Sequence, residues 1–70
     1  MGSNLTNRVR ELRDANDRMT QQALADAVGV SRQTIIAIES GRYSPSLEVA
    51  LKISRAFALP VESVFSLGNL

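Results

Sequence analysis

The chain has no cysteine and no histidine, and lysine occurs once, at Lys52. Without cysteine there are no disulfides and no thiolate metal sites. Without histidine the commonest metal ligand and the commonest general base are both missing. Enzymatic chemistry would have to rest on carboxylates, Lys52, Tyr43 or hydroxyls, and no convergent set of these is visible, so the chain reads as a non-enzyme without metal or cofactor. No apolar run approaches the ~18 residues of a membrane span. The N-terminus lacks the basic-then-apolar pattern of a signal peptide, so the expected location is cytoplasmic. Met1-Gly2-Ser3 resembles a cloning remnant. Net charge is only +1, from eight Lys/Arg against seven Asp/Glu. Bulk charge is therefore no argument for nucleic acid, whose binders are usually strongly basic.

What the chain does have is arginine, which accounts for every basic residue but Lys52. Arginine is the better residue for bidentate recognition of phosphate and guanine. At 70 residues, with 44% hydrophobic content, there is room for one domain around one small core. The expected boundaries are a disordered or extraneous N-terminus at 1–4, a single domain at 5–67 and a frayed tail at 68–70.

Helix signals are regular. Leu5, Val9 and Leu12 recur at spacings of four and three, which predicts a first helix over Leu5–Ala15 with Asn4 or Thr6 as its cap. Asn16 and Asp17 end it. Thr20 caps a short second helix in which Leu24, Ala25 and Val28 share a face, and Gly29 ends it. Ser31 restarts a third helix almost at once, with Ile35 and Ile38 inward, and Gly41 stops it. The stretch GRYSPS is a loop. Ser46 caps a fourth helix that runs to about Ala58, with Leu47, Ala50, Leu51, Ile53, Ser54, Phe57 and Ala58 in its apolar set. Pro60 starts a short fifth helix, with Val61, Val64 and Phe65 inward. No segment alternates with period two for long enough to predict a strand. The fold expected is all-α: five short helices around one core.

The informative stretch is TQQALADAVGVSRQTIIAIESG, Thr20 to Gly41. Two short helices meet at a tight turn, Gly29-Val30, where glycine tolerates a positive φ. The small Ala25 lets the helices cross closely, and Val30 and Ile35 pack beneath the turn. This is what a helix-turn-helix requires. With the arginine-rich RVRELR, the helix YSPSLEVALKIS and the terminus LPVESVF, the chain resembles the phage-repressor and Cro-like, Xre-type helix-turn-helix family over Asn7 to Leu67. One departure is the link DANDRM, a residue longer than the commonest form.

The resemblance implies a five-helix, lambda-repressor-like domain that binds double-stranded DNA, with the first turn of the third helix in the major groove. On a helical wheel Gln33 and Ala37 lie opposite Ile35 and Ile38, Ile36 flanks one side and Thr34 the other. Arg32, Gln33, Thr34, Ile36 and Ala37 are the candidate base contacts: arginine for guanine, glutamine for adenine, the small or apolar residues for thymine methyls. For Ile36 partial burial in the core is the alternative, and for Thr34 a local hydroxyl bond. Candidate phosphate contacts are Gln21 at the second helix's N-terminus, Ser31, the loop residues Arg42, Tyr43 and Ser44, and Arg10. Tyr43 packed on the core edge and Arg8 and Arg10 as solvated residues are the alternatives. Arg13 and Glu39 are implied to form a structural ion pair tying the first helix to the third.

A single such unit reads few base pairs, and a twofold dimer reads two half-sites about 34–36 Å apart. Of the apolar C-terminal set Pro60, Val61, Val64, Phe65 and Leu67, some is expected to close the core and the remainder to provide a homodimer patch. The leading expectation is a small transcriptional regulator, a repressor acting as a homodimer on a palindromic operator, with no small-molecule effector domain. The rival is an antitoxin-like protein-interaction module on the same fold, which has no need of Arg32 and Gln33.

Overall fold

A computed structural model describes residues 5–68. The segment 1–4 and the tail residues Asn69 and Leu70, read above as disordered and frayed, lie outside these residues, as does Asn4 as a cap. Five helices and two short strands follow in the order β1 (Leu5–Asn7), α1 (Val9–Ala15), α2 (Gln21–Val28), α3 (Arg32–Glu39), α4 (Leu47–Ala56), α5 (Val61–Val64) and β2 (Phe65–Leu67).

The strands correct the all-α expectation. Leu5–Asn7 is not the first turn of a helix but pairs antiparallel with β2, in the register Leu5 to Leu67, Thr6 to Ser66 and Asn7 to Phe65. Leu5 and Asn7 are half-buried and Thr6 is exposed, so the segment does alternate, over too few residues to register as a pattern. The hydroxyls of Thr6 and Ser66 meet across the seam at 3.0 Å. Asn7 then starts α1: its Oδ1 accepts from the Val9 N–H at 3.0 Å and its Nδ2 donates to the Ile38 carbonyl at 3.0 Å. The Arg8 N–H donates to the Val64 carbonyl at 2.9 Å. The backbone of this segment is satisfied by residues about sixty positions away, a partner that local spacing does not reveal.

Three helices begin on hydroxyl caps. Thr20 Oγ1 accepts from Ala23 N–H, Ser31 Oγ from Thr34 N–H and Ser46 Oγ from Val49 N–H, at 2.9, 3.1 and 3.2 Å. Each cap satisfies a donor that the first helical turn leaves without a partner. Gly29 closes α2 at φ 83°, and the next N–H, Val30, returns to the Ala25 carbonyl at 3.0 Å. A Cβ at Gly29 would meet nothing within 4 Å, so the glycine is required by φ alone.

Two other endings are made without glycine. The link after α1 places Asp17 and Arg18 successively at φ 57° and 55°, and the chain closes with Met19 N–H on the Arg13 carbonyl at 2.9 Å. The fourth helix stops at Ala56, two residues before the expected Ala58. Ala58 takes φ 56°, and the N–H groups of Ala58 and Leu59 return to the Arg55 and Ser54 carbonyls, both at 3.0 Å. This is the paired closure normally built on glycine. Pro60 is the extended residue capping α5 rather than its first helical residue.

Leu24, Ile35, Ile38, Ile53, Val9 and Val64 fill the centre, each less than 2% exposed, and Ala25 is fully buried between them. Burying a side chain of this size contributes ~1.5–3 kcal/mol. Leu47 and Leu51, assigned above to the apolar set of the fourth helix, lie on its solvent side, 72% and 50% exposed.

Candidate nucleic-acid interface

The first turn of α3 projects from the domain directly after the Gly29 turn. Arg32 and Gln33 are exposed, and Thr34, Ile36 and Ala37 are half-buried. Ile35 and Ile38, on the opposite face, anchor the helix in the core. Thr34 shares a hydrogen bond of 3.0 Å with the Ser31 hydroxyl, the local bond that was one of its two expected uses. The polar first turn is thus a capped helix end whose opposite face is buried.

Behind it lies a hydrogen-bonded chain of side chains. Arg13 Nε donates to Glu39 Oε2 at 2.6 Å and Nη2 to Oε1 at 3.0 Å, a bidentate pair with about a tenth of either side chain exposed. Arg13 Nη1 donates to the Met19 carbonyl at 2.8 Å. The bond to Glu39 is the main cause that holds the Arg13 pKa above its ordinary value. Gln21 Nε2 donates to Glu39 Oε1 at 3.1 Å, and Gln21 Oε1 accepts from Arg32 Nε at 3.4 Å. The chain therefore crosses three helices, from α1 through the end of α3 and the start of α2 to the first turn of α3. Among the described residues every buried side-chain nitrogen or oxygen has a hydrogen-bond partner.

Arg13, Thr20, Gln21, Gln22 and Arg32 line an open depression of about 460 Å³ at the α2 N-terminus. Arg13 is already neutralised by Glu39, so it is Arg32 and the first N–H groups of the helix that favour an anion there. The other expected contacts are spread more widely. Arg42, Tyr43 and Ser44 are exposed in the loop after α3, and at 49% exposure Tyr43 does not pack as a core residue. Arg10 is exposed and lines a second depression with Asn7, Arg8, Glu11, Asp14 and Glu39. Arg8 is held by Glu11 at 2.9 Å and by the Ser63 carbonyl at 3.2 Å. Among the described residues no group of three or more acidic, histidine or cysteine side chains gathers as a metal site.

Sequence reasoning missed the two side-chain bonds of Gln21 and the role of Asn7 as a tie to α3. Each depends on contacts between elements far apart in the chain. The one local signal was a polar residue placed directly after a hydroxyl cap, which also fits an ordinary solvated glutamine.

A helix-turn-helix family model matches residues 9–64. An uncharacterized HTH-type transcriptional regulator of Bacillus subtilis, YgzD, is 51% identical over 61 residues, covering 87% of this chain and 91% of that protein. A second uncharacterized HTH-type regulator, MJ0272 of Methanocaldococcus jannaschii, is 55% identical over 47 residues, 67% of this chain and 71% of its own. The cryptic phage CTXphi transcriptional repressor RstR of Vibrio cholerae is 31% identical over 61 residues, 87% of this chain and 54% of that protein. The crystal structure of a candidate DNA-binding protein from Bacteroides fragilis superposes with a TM-score of 0.76 at 24% identity, over 89% of this chain and 98% of the other. At that identity the likeness shows the fold.

Proposed function

This chain belongs to the Xre-type helix-turn-helix family, and from that premise we propose that it is a DNA-binding transcriptional regulator, a repressor that binds a palindromic operator as a homodimer. The observation that carries the reading is the first turn of α3, where Arg32 and Gln33 stand exposed on a helix capped by Ser31 and held from behind by Ile35 and Ile38. Arg32 pairs with a guanine edge and Gln33 with an adenine edge, each bidentate contact discriminating by ~1–3 kcal/mol. Ala37 and Ile36, one turn later, meet the groove floor or thymine methyls, and Thr34 completes the reading turn. Gln21, Ser31, Arg42, Tyr43, Ser44 and Arg10 position the helix on phosphates, which sets register without reading sequence.

Residues 5–67 act as one domain, and the regulatory kinship of the relatives points to a non-enzymatic role. Among the described residues no helix is long and apolar enough to cross a membrane. Val64 and Phe65 are buried in the protein's own core, so of the C-terminal apolar set Pro60, Val61 and Leu67 remain for a partner subunit, with Leu67 55% exposed.

Replacing Arg32 and Gln33 together by alanine should abolish operator preference while leaving the salt-dependent affinity for any duplex. Operator preference that survives the double substitution sinks the assignment. Light scattering on the purified chain decides the dimer. A second reading, a protein-interaction module, draws on the exposed Leu47 and Leu51, one turn apart on α4. It predicts that the Arg32/Gln33 double variant keeps its function.

A further inference from the structure

We propose that two copies of this chain pack their α4 helices antiparallel across a twofold axis at Leu51, with Glu48 of each copy set against Arg55 of the other. The inference rests on the homodimer read above, and it places the contact on α4 rather than on the C-terminal segment.

The apolar content of the surface comes first. The large hydrophobic side chains exposed among the described residues are Tyr43, Leu47, Leu51 and Leu67. Leu47 and Leu51 are four residues apart on α4, so they share one side of the helix. They flank the row Ala50, Ile53 and Ser54 that the protein's own core buries. The C-terminal segment offers Leu67 alone at this size.

Charge decides what covers the leucines. Glu48 and Arg55 are both exposed and stand seven residues apart, two turns of helix, on the same side of α4. Glu48 meets Lys52 Nζ at 3.1 Å, with half or more of each side chain in solvent. Among the described residues Arg55 makes no ion pair. The helix has ten residues, so its midpoint falls between Leu51 and Lys52. Glu48 and Arg55 lie equally far to either side of that midpoint. An antiparallel twofold pairing there sets Glu48 against the partner's Arg55, and Arg55 against the partner's Glu48. Leu51 then lies beside its own symmetry mate, and the aliphatic stem of the partner's Arg55 reaches toward Leu47. A parallel pairing would set Glu48 on Glu48 and Arg55 on Arg55. A twofold interface requires a surface complementary to itself, and this one is; a partner of another sequence makes no such demand.

The leucines supply attraction by leaving water. The exposed charges add little affinity, but they select orientation, because like charges brought face to face are costly. One pair of ten-residue helices is a small contact, at the weak end of specific interfaces. Two half-sites on one duplex hold the copies together and raise their effective concentration. The loop of Arg42, Tyr43 and Ser44 joins α3 to α4, so a contact at α4 sets how far apart the two reading helices stand.

The test is an exchange of charges, read by sedimentation equilibrium of the full chain in low salt. The wild type should dimerise as its concentration rises. Glu48→Arg and Arg55→Glu should each weaken the dimer by about tenfold or more, since each sets like charges face to face twice. An equal mixture of the two variants should recover the wild-type affinity, because the mixed pair again opposes unlike charges. The double variant E48R/R55E should recover it too, and Leu51→Asp should leave only monomer. All three positions are exposed, and circular dichroism checks that each variant is folded. Single variants that dimerise like the wild type, or a weakened dimer that neither the mixture nor E48R/R55E restores, overturn the α4 contact. Loss of the dimer in Leu67→Asp with the α4 variants unaffected would return the contact to the C-terminal segment. A wild type that stays monomeric alone, and binds one copy at a time to a duplex of two half-sites, overturns the homodimer reading itself.

Discussion

Two Arg–Glu pairs tie down the short helix α1, and they share little beyond their chemistry. Arg8–Glu11 lies at the N-terminal end, three residues apart on one helix, with half or more of each side chain exposed. Arg13–Glu39 joins helices 26 residues apart in sequence, is bidentate, and is nearly sealed from water. In water an ion pair gains little over its two hydrated ions, and salt screens the remainder. Away from water, attraction and desolvation are both large and nearly cancel, so the pair adds little net stability, but neither member can be removed alone. The exposed pair decorates the seam between β1 and β2, whereas the buried pair bridges α1 and α3 and, through Gln21, touches α2.

The largest expected effect breaks this comparison directly. Arg13→Ala strands the Glu39 carboxylate in a site with about a tenth of it exposed and should cost ~3–5 kcal/mol. A single small core rarely supplies more than about 3–5 kcal/mol in total, so the variant should be largely unfolded near 37 °C by circular dichroism. Arg8→Ala should lower Tm only slightly, far less than Arg13→Ala. An Arg13→Ala variant with normal stability but lost DNA binding would show that Arg13 touches DNA and is not a structural residue.

The same division separates what was legible in the sequence from what was not. The helix-turn-helix unit is written in local signals. Thr20, Ser31 and Ser46 cap within three residues of themselves, Gly29 takes a left-handed backbone angle that favours glycine, and the apolar spacing of Leu24, Val28, Ile35 and Ile38 is the core face itself. The candidate reading residues follow, because a helix anchored on one side exposes the other. The seam is written in long-range terms. Leu5, four before Val9, fits a helix and a three-residue strand equally, and only the distant β2 decides between them. Asp17, Arg18 and Ala58 take left-handed angles without being glycine, so no residue type announced those turns. The fourth helix was read two residues too long for that reason. At the candidate site, the link from Glu39 to Gln21 to Arg32 was hidden because it joins three segments only after they have folded.

The caps sharpen the contrast at intermediate size. Thr20→Ala and Ser31→Ala each remove the acceptor for a first-turn N–H and should each cost about 1 kcal/mol. In a domain of this length that lowers Tm by about 4–8 °C. Thr6→Ala removes a hydroxyl contact in the exposed seam, where water replaces Ser66 as partner, and should shift Tm less than either cap does. A Thr6 effect equal to the cap effects would mean that the seam is as strongly specified as the motif.

The smallest effect concerns pH and the exposed pair. The hydrogen bond from Arg8 is the main cause that lowers the Glu11 pKa below its ordinary value. A carboxyl whose folded pKa is depressed contributes stability that is fully present above its unfolded pKa and is lost as pH falls through the folded one. The wild type should therefore exceed Glu11→Gln slightly at neutral pH in low salt, and the gap should close as pH drops below the ordinary carboxylate range. Raising the salt should close it at any pH, since both groups lie in solvent. Thermal melts of the two proteins over pH and ionic strength check this. A gap that persists in high salt at neutral pH would place Arg8–Glu11 among the structural ties of the fold and remove the difference between the two ends of α1.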